Sequence, residues 1–404
     1  LTGAGSCEAS SAAAKEQFMA ASGGTMERLL RLMAEKKASD IYLSAGAPIS
    51  IRINGNTIPV NQQILDAKTP LAMLSEVVSA KRIEELQETG DLNMALPLSG
   101  VGSFRISAFR QRSSYAVVVR FIPYDIPALA SLNVPDVMGE LIMQKRGLIL
   151  MVGATGTGKS TTLAAMLDHR NATMPGHILT VEDPIEFLFR SKKSVVNQRE
   201  VGSDASTMQI ALKNALRQAP DCIFIGEIRD RETMTAALAY AQSGHLCLST
   251  MHANNSYQAL NRILSFYPLE ARGALLSDLA SGLKAICSQR LVRSKAGGRL
   301  PAVEVLLNTK LISEQIERGE FSAVKESMEK SLAEGSQTFE EHIARMITEG
   351  KITREEGLIN ADSPTNLIWR LQNDFSIKPK SGSDGSSEES GEASFTEITL
   401  DVGT

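Results

Sequence analysis

Residues 147–168 read GLILMVGATGTGKSTTLAAMLD, and the fold follows from how this stretch changes character along its length. Leu148 to Val152 is an apolar run and reads as a buried strand; Lys159 to Asp168 carries Leu163, Met166 and Leu167 on one side, as a helix does. Between them lies a complete G-x-x-x-x-G-K-S loop made of Gly153, Ala154, Thr155, Gly156, Thr157, Gly158, Lys159 and Ser160, with Thr161 behind it. The three glycines leave the backbone free to bend, so that its N–H groups and the helix N-terminus can face phosphate oxygens. Lys159 is expected to reach β- and γ-phosphates, and the Ser160 hydroxyl to hold Mg²⁺.

Working outward, residues 131–310 alternate apolar strands with helical stretches. After LILMV come HILTV (177–181), CIFI (222–225) and HLCLST (245–250). Continuous apolar strands separated by helices predict an α/β unit with a parallel sheet covered on both faces. ASTMQIALKNALRQAP (205–220) reads as a helix closed by Pro220, and helical periodicity is also read over Tyr257 to Leu264 and Ser277 to Leu291.

Ligands of such sheets bind beyond the carboxyl ends of the strands. There the sequence supplies Glu182-Asp183-Pro184-Ile185-Glu186, Gly226-Glu227-Ile228-Arg229-Asp230 and Met251-His252. Phosphoryl transfer needs a metal, a carboxylate to position water, and cations for the transferring group. Glu227 suits an acid that orients Mg²⁺, and Glu186 or Glu182 suits the water. His245 and His252 bracket the fourth strand, either as structural residues or as sensors of nucleotide; seven residues apart and without a third companion, they do not make a metal site. No N-K-x-D-type stretch selects guanine, so ATP is the expected nucleotide.

Before the core, Thr25 is read as the N-cap of a short amphipathic helix bearing Leu29, Leu30, Leu32 and Met33. Asn54-Gly55 between ISIRI and NTIPV marks a hairpin, Thr69-Pro70 opens a helix, and segments around 91–96, 103–109 and 115–122 read as strands. These make an α+β domain over 26–123, with a linker over 124–130 between Pro123 and Pro127. Residues 1–25 are expected to be a flexible extension, and Met26 reads as a natural start. Beyond the core, 311–375 is helix-like, with Thr338 and Thr353 at helix starts, and 376–404 is a polar, disordered tail whose FTEITLD (395–401) is solvated.

The chain's 404 residues carry 42 Lys and Arg against 46 Asp and Glu, a net charge of −4, with 5% aromatic residues. That supplies neither a general cationic surface nor stacking platforms, so no nucleic-acid partner is expected. The four cysteines form no C-x-x-C pair and read as buried reduced thiols, in keeping with a cytoplasmic location. No apolar run approaches the ~20 residues of a transmembrane helix.

GATGTGKSTT, VEDPIEF, VNQREV, ALRQAPD, GEIRDRETM and SGHLCLSTMHANN resemble, in order and spacing, the Walker A, Asp-box, Walker B and His-box motifs of the secretion ATPases that power type IV pili and type II secretion. The resemblance runs from Met26 to Asp374. It implies a PAS-like N-terminal domain, a RecA-like core and a ring of six chains with ATP at subunit boundaries. It assigns Glu186 as the catalytic glutamate, Glu227 as an atypical Walker B acid, and His245 and His252 as the His box. In FRISAFRQRSSYAVVVRFIP, Arg105, Arg112 and Arg120 match arginine positions of the retraction branch, and Arg112 and Arg120 are expected to reach a neighbour's ATP.

The chain lacks the four-cysteine zinc insertion of the extension branch, and so resembles the PilT/PilU family of retraction ATPases. LISEQIERGE (311–320) stands where PilT-type chains carry an arginine-containing element, which makes the chain more similar to the PilU type. The resemblance implies a motor peripheral at the inner-membrane base of the pilus. Its implied partners are a paralogous retraction ATPase and the inner-membrane platform protein. An accessory ring that binds nucleotide without producing force alone is the alternative.

Overall fold

The computed structural model describes residues 24–53, 56–98, 100–122, 125–329 and 333–373. The extension, the tail with its FTEITLD segment, the Asn54-Gly55 turn and Cys7 lie outside the described residues.

The first unit opens with α1 (Thr25–Glu35). Gly24, not Thr25, holds the N-cap position, and the free Met26 N–H is met instead by Glu76 Oε2 at 2.8 Å, so a distant carboxylate replaces the local cap. The strands are β1 (Asp40–Ser44), β2 (Pro48–Ile53), β3 (Asn56–Ile64), β4 (Asp91–Leu98), β5 (Gly102–Gln111) and β6 (Ser114–Ile122), with α2 (Thr69–Ser75) and α3 (Ala80–Thr89) between β3 and β4. They form one antiparallel sheet in the order β3-β2-β1-β6-β5-β4. Alternate residues Phe104, Ile106 and Ala108 of β5 turn inward to meet Met26, Leu30 and Met33 of α1 in one apolar cluster.

The second unit follows α4 (Val137–Ile142). Its elements are β7 (Gly147–Val152), α5 (Lys159–Thr173), β8 (Gly176–Glu182), β9 (Ser194–Glu200), α6 (Met208–Ala215), β10 (Cys222–Glu227), α7 (Arg231–Gln242), β11 (Leu246–Met251), α8 (Ser256–Ser265), α9 (Arg272–Gly282), β12 (Leu283–Arg293) and β13 (Arg299–Leu307). The sheet runs β13-β12-β7-β11-β10-β8-β9, parallel except for β13. Every residue of β7 is buried, because helices cover both faces and β11 and β12 flank it. The expected helix over Ser277 to Leu291 is corrected: α9 ends at Gly282, and the following residues form β12, almost wholly buried between β7 and β13. A buried strand and a buried helix are equally apolar, so periodicity could not separate them.

Beyond β13, α10 (Lys310–Arg318) and α11 (Phe321–Glu329) send Ile312, Ile316, Phe321 and Val324 into the same apolar cluster as α9. A separate cluster gathers α12 (Phe339–Thr348), α13 (Arg354–Asn360) and α14 (Pro364–Asn373) onto Val292 and Ala302 of β12 and β13. Thr338 caps α12 in a reciprocal box with Glu341, and the Thr353 side chain accepts from Glu356 N. Cys222, Cys247 and Cys287 are buried free thiols whose burial pushes each pKa up. Among the described residues, no helix is long and apolar enough to cross a membrane.

Candidate nucleotide site

The carboxyl ends of β7, β8, β10 and β11 open onto a cleft of about 850 Å³ between the core sheet and the N-terminal sheet. Thr155, Gly156, Gly158, Lys159, Ser160 and Thr161 line one wall. Gly158 sits at the N-cap of α5 with φ of +83°, and a Cβ there would lie 2.9 Å from the Gln289 side-chain nitrogen. A Cβ on Gly153 would lie 2.6 Å from the Gln289 carbonyl oxygen. The loop therefore keeps its turn only with glycine at these two positions. Lys159 Nζ spans the loop, donating to the carbonyls of Gly153 at 2.8 Å and Ala154 at 2.9 Å. Burial lowers its pKa, opposed by the negative charges of Glu227 and Glu186, so both carboxylates face this ammonium group.

Glu227 is aimed by its strand. The register between β10 and β11 shifts between Ile225 and Glu227, and Gly226 lies so close to β8 that an added Cβ would come within 3.3 Å of Glu182 Cα. Thr250 Oγ1 donates to Gly226 O at 2.6 Å and fixes the bulge. The carboxylate is held on both oxygens: His252 Nε2 lies 3.1 Å from Oε1, and Arg229 Nε donates to Oε2 at 2.7 Å. Glu186 is exposed in the same cleft. Its backbone N–H points at Glu182 Oε2, 3.5 Å away. Glu182 is buried and accepts from Thr180 Oγ1 at 2.6 Å and Gln198 Nε2 at 3.3 Å. Glu182 thus supports the loop that carries Glu186 from beneath.

From the N-terminal sheet, Arg105 and Arg120 line the cleft. They are direct cross-strand partners, and the row continues through Asp40 on β1 to Arg52 on β2. Arg120 Nε donates to the buried Asp40 carboxylate at 2.9 Å. Directly opposed residues share a face of the sheet, so this carboxylate pairs with Arg120 and, at 3.7 Å, with Arg52, while Arg105 adds positive charge to the cleft.

Two expected site residues stand apart. Arg112 occupies the exposed turn between β5 and β6, and the strand from Ser114 to Arg120 puts it about 20 Å or more from Arg120. His245 precedes β11 at its opposite end, where its Nδ1 lies 3.1 Å from Ser243 Oγ; seven residues of strand put it about 23 Å from His252. The structure therefore brings Lys159, Ser160, Glu186, Glu227, His252 and Arg120 together within one chain, and does not bring Arg112 or His245. Strand length explains the histidines: bracketing β11 places the two residues at its opposite ends.

The sequence reading did not single out Arg229 or Gln289. Arg229 follows Glu227 at a spacing of two and could have been found as its cation. Gln289 falls in the segment misread as helix.

A mostly parallel, doubly covered sheet with this Gly-rich loop at its carboxyl edge and paired acids opposite the lysine defines a P-loop nucleoside triphosphatase. The model of the type II/IV secretion system protein family matches residues 22–358. The type IV pilus ATPase PilU of Pseudomonas aeruginosa is 45% identical over 342 residues, 84% of this chain and 90% of that protein. PilT, the type IV pilus retraction ATPase of the same bacterium, is 36% identical over 339 residues, 84% of this chain and 98% of PilT. The crystal structure of the pilus retraction motor PilT with bound ADP matches with a TM-score of 0.80 and 38% identity, covering 86% of this chain and 99% of that one. The chain belongs to the type II/IV secretion system protein family and is an ATPase of its PilT/PilU type.

Proposed function

We propose that the chain is a cytoplasmic motor ATPase that assembles as a homo-hexamer at the inner-membrane base of a type IV pilus and hydrolyses ATP to drive pilus retraction. The observation that carries this reading is the single cleft in which Lys159, Glu186 and Glu227 face arginines from a second sheet. Movement of one sheet relative to the other changes that cleft, so turnover and domain movement are linked by its geometry.

The residues fit a Mg²⁺-nucleotide. Among the described residues no cluster of three acidic, His or Cys ligands is present, whereas Ser160 and Glu227 offer two oxygens beside the phosphate loop. A nucleotide-borne Mg²⁺ needs about one or two protein oxygens, the phosphates and waters supplying the rest. When bound, it neutralises charge on the phosphate oxygens. Lys159 exchanges its two carbonyl partners for phosphate oxygens, and the loop N–H groups complete the cradle. Glu186 takes the proton of the attacking water, and the bond from the γ-phosphorus to the leaving ADP oxygen breaks as the new P–O bond forms. Arg105 and Arg120 stabilise the charge that spreads over the transferring group. His252 holds Glu227 in place.

Steady-state ATP hydrolysis by the purified ring, wild type against Glu186→Gln, tests the reading, with assembly followed by light scattering. Loss of turnover with the ring intact is expected; undiminished turnover in the variant overturns the assignment of Glu186. A second reading, an accessory ring working with a paralogous motor and the platform protein, is favoured by α10. There Glu314, Glu317 and Arg318 are exposed where the retraction motor's arginine-containing element is expected. Pilus retraction in cells that retain this chain but lack the principal motor would remove it.

A further inference from the structure

The phosphate loop is braced from behind by a residue of β12. Gln289 is 2% exposed, its Nε2 donates to Thr157 O inside the loop at 2.7 Å, and its Oε1 accepts from Thr162 Oγ1 in the first turn of α5 at 2.9 Å. The same amide nitrogen and the residue's own carbonyl oxygen are the atoms that crowd Gly158 and Gly153. One side chain therefore touches the loop's middle and the helix it leads into, and its backbone touches the loop's beginning.

The next residue faces the C-terminal helices. Arg290 donates to Asn360 O at 2.6 Å and to Asn254 O at 3.2 Å, pairs with Asp362, and stacks 4.0 Å from the centre of the Phe339 ring. Asp362 also accepts from Asn255 Nδ2 at 2.8 Å. Adjacent residues of a strand point to opposite faces, so a shift of β12 that moves Arg290 also moves Gln289. Tightly packed contacts transmit such a shift rather than absorbing it.

We propose that Gln289 is a positioning residue of the nucleotide site, and that the Gln289–Arg290 pair couples the loop's grip on phosphate to the packing of α12–α14 through Asp362. The inference rests on the nucleotide-site reading given above. Docking or displacement of the C-terminal helices then changes nucleotide affinity without any of their residues entering the cleft.

The test is a double-mutant cycle on the full chain, reading the affinity for a fluorescent ADP analogue, with folding checked by circular dichroism and assembly by light scattering. Gln289→Met keeps the volume and removes both hydrogen bonds, and is expected to weaken binding by about tenfold, the scale of two lost bonds. Asp362→Asn, outside the lining of the cleft, is expected to weaken it by about threefold alone and to add nothing in the Gln289→Met background. Turnover at saturating ATP is expected to stay near wild type in Asp362→Asn, whose side chain contacts Arg290 and Asn255 and not the loop.

Wild-type affinity in Gln289→Met would show that the side chain only fills space, and wild-type affinity in Asp362→Asn, or full additivity of the two, would remove the coupling. Each of these outcomes overturns the proposal. Lys159→Ala serves as the control. If it binds the analogue as well as wild type, the nucleotide-site reading itself fails; if it loses binding while the cycle is flat, only the coupling fails.

Discussion

Replacing Glu182 by Gln is expected to abolish one component of the pH dependence of stability. Burial pushes the Glu182 carboxyl up from its ordinary 4.5 to about 7, against the lowering pull of hydrogen bonds from Thr180, Gln198 and the Glu186 N–H. The folded state therefore holds this proton more tightly than the unfolded chain does. Below pH 4.5 both states are protonated and burial carries no ionic penalty. As pH rises, the unfolded chain ionises first, so stability falls until the folded group also ionises near pH 7. At about 1.4 kcal/mol for each pH unit, the loss across that window is about 3 kcal/mol. Glutamine keeps the acceptor for Thr180 but cannot ionise. Urea unfolding of wild type and Glu182→Gln from pH 4 to 8, followed by far-ultraviolet circular dichroism, should give a difference that moves in favour of the variant by that amount as pH rises. A difference that stays flat would mean that Glu182 ionises in the folded core as readily as in water, and the account of how it supports the Glu186 loop would be wrong.

Lys159→Ala should remove measurable nucleotide binding, a loss of about a hundredfold or more for a charge-assisted phosphate contact, and fluorescence titration reads it directly. Arg120→Ala should lower kcat by about a thousandfold if its guanidinium faces the transferring group, with Asp40 then left without its nearer partner; steady-state kinetics checks it. Arg112→Ala offers a test of ring geometry: a hairpin tip that serves a neighbour's nucleotide predicts that inactive Arg112→Ala and Lys159→Ala chains recover turnover when mixed into one ring. Thr338→Ala removes half of a capping box and should cost about 1 kcal/mol, seen as a lower thermal midpoint with ATP turnover little changed.

The strands that lead into chemistry were legible because each carries two signals, an apolar run and a polar group at its carboxyl end. GLILMV into the glycine loop, HILTV into Glu182 and CIFI into Glu227 all appear in the structure at that edge. β12 and β13 carry only the first signal. Leu283, Ala285, Ile286 and Cys287 are buried on both faces, which erases the alternation that distinguishes a strand, and α9 runs directly into them. Losing β12 as a strand concealed Gln289, whose contacts come from opposite Val303 on β13 and across to the loop of β7. The two histidines bracket a strand as the sequence indicates, and seven residues of extended chain hold them at its opposite ends, so that within one chain His252 reaches Glu227 and His245 lies beside Ser243. Arg105 and Arg120 were visible as residues, but the partnership of Arg120 with Asp40 needed the pairing of β1 with β6, a contact across eighty positions of sequence.

The two partners of Glu227 are not equivalent, and the difference sets how the site can respond to nucleotide. His252 is fixed at the end of β11, whose register with β10 is locked by Ser249 and Thr250 hydroxyls donating to Ile225 and Gly226 carbonyls. Arg229 is 65% exposed along its side chain and is held there by Glu227, an ion pair whose solvent-facing half contributes little to stability. Each oxygen of Glu227 keeps a second lone pair, so a phosphate-borne cation would compete most directly with whichever partner shifts aside more easily. His252 is carried by the end of that locked strand, whereas Arg229 is a long side chain already in solvent. Arg229 is therefore the partner expected to give way, and its guanidinium would remain at the mouth of a cleft that already contains Lys159, Arg105 and Arg120. Entry of a polyanion would then redistribute positive charge without unfolding any strand, and the carboxylate that anchors Arg229 would be free to take the cation that accompanies the nucleotide.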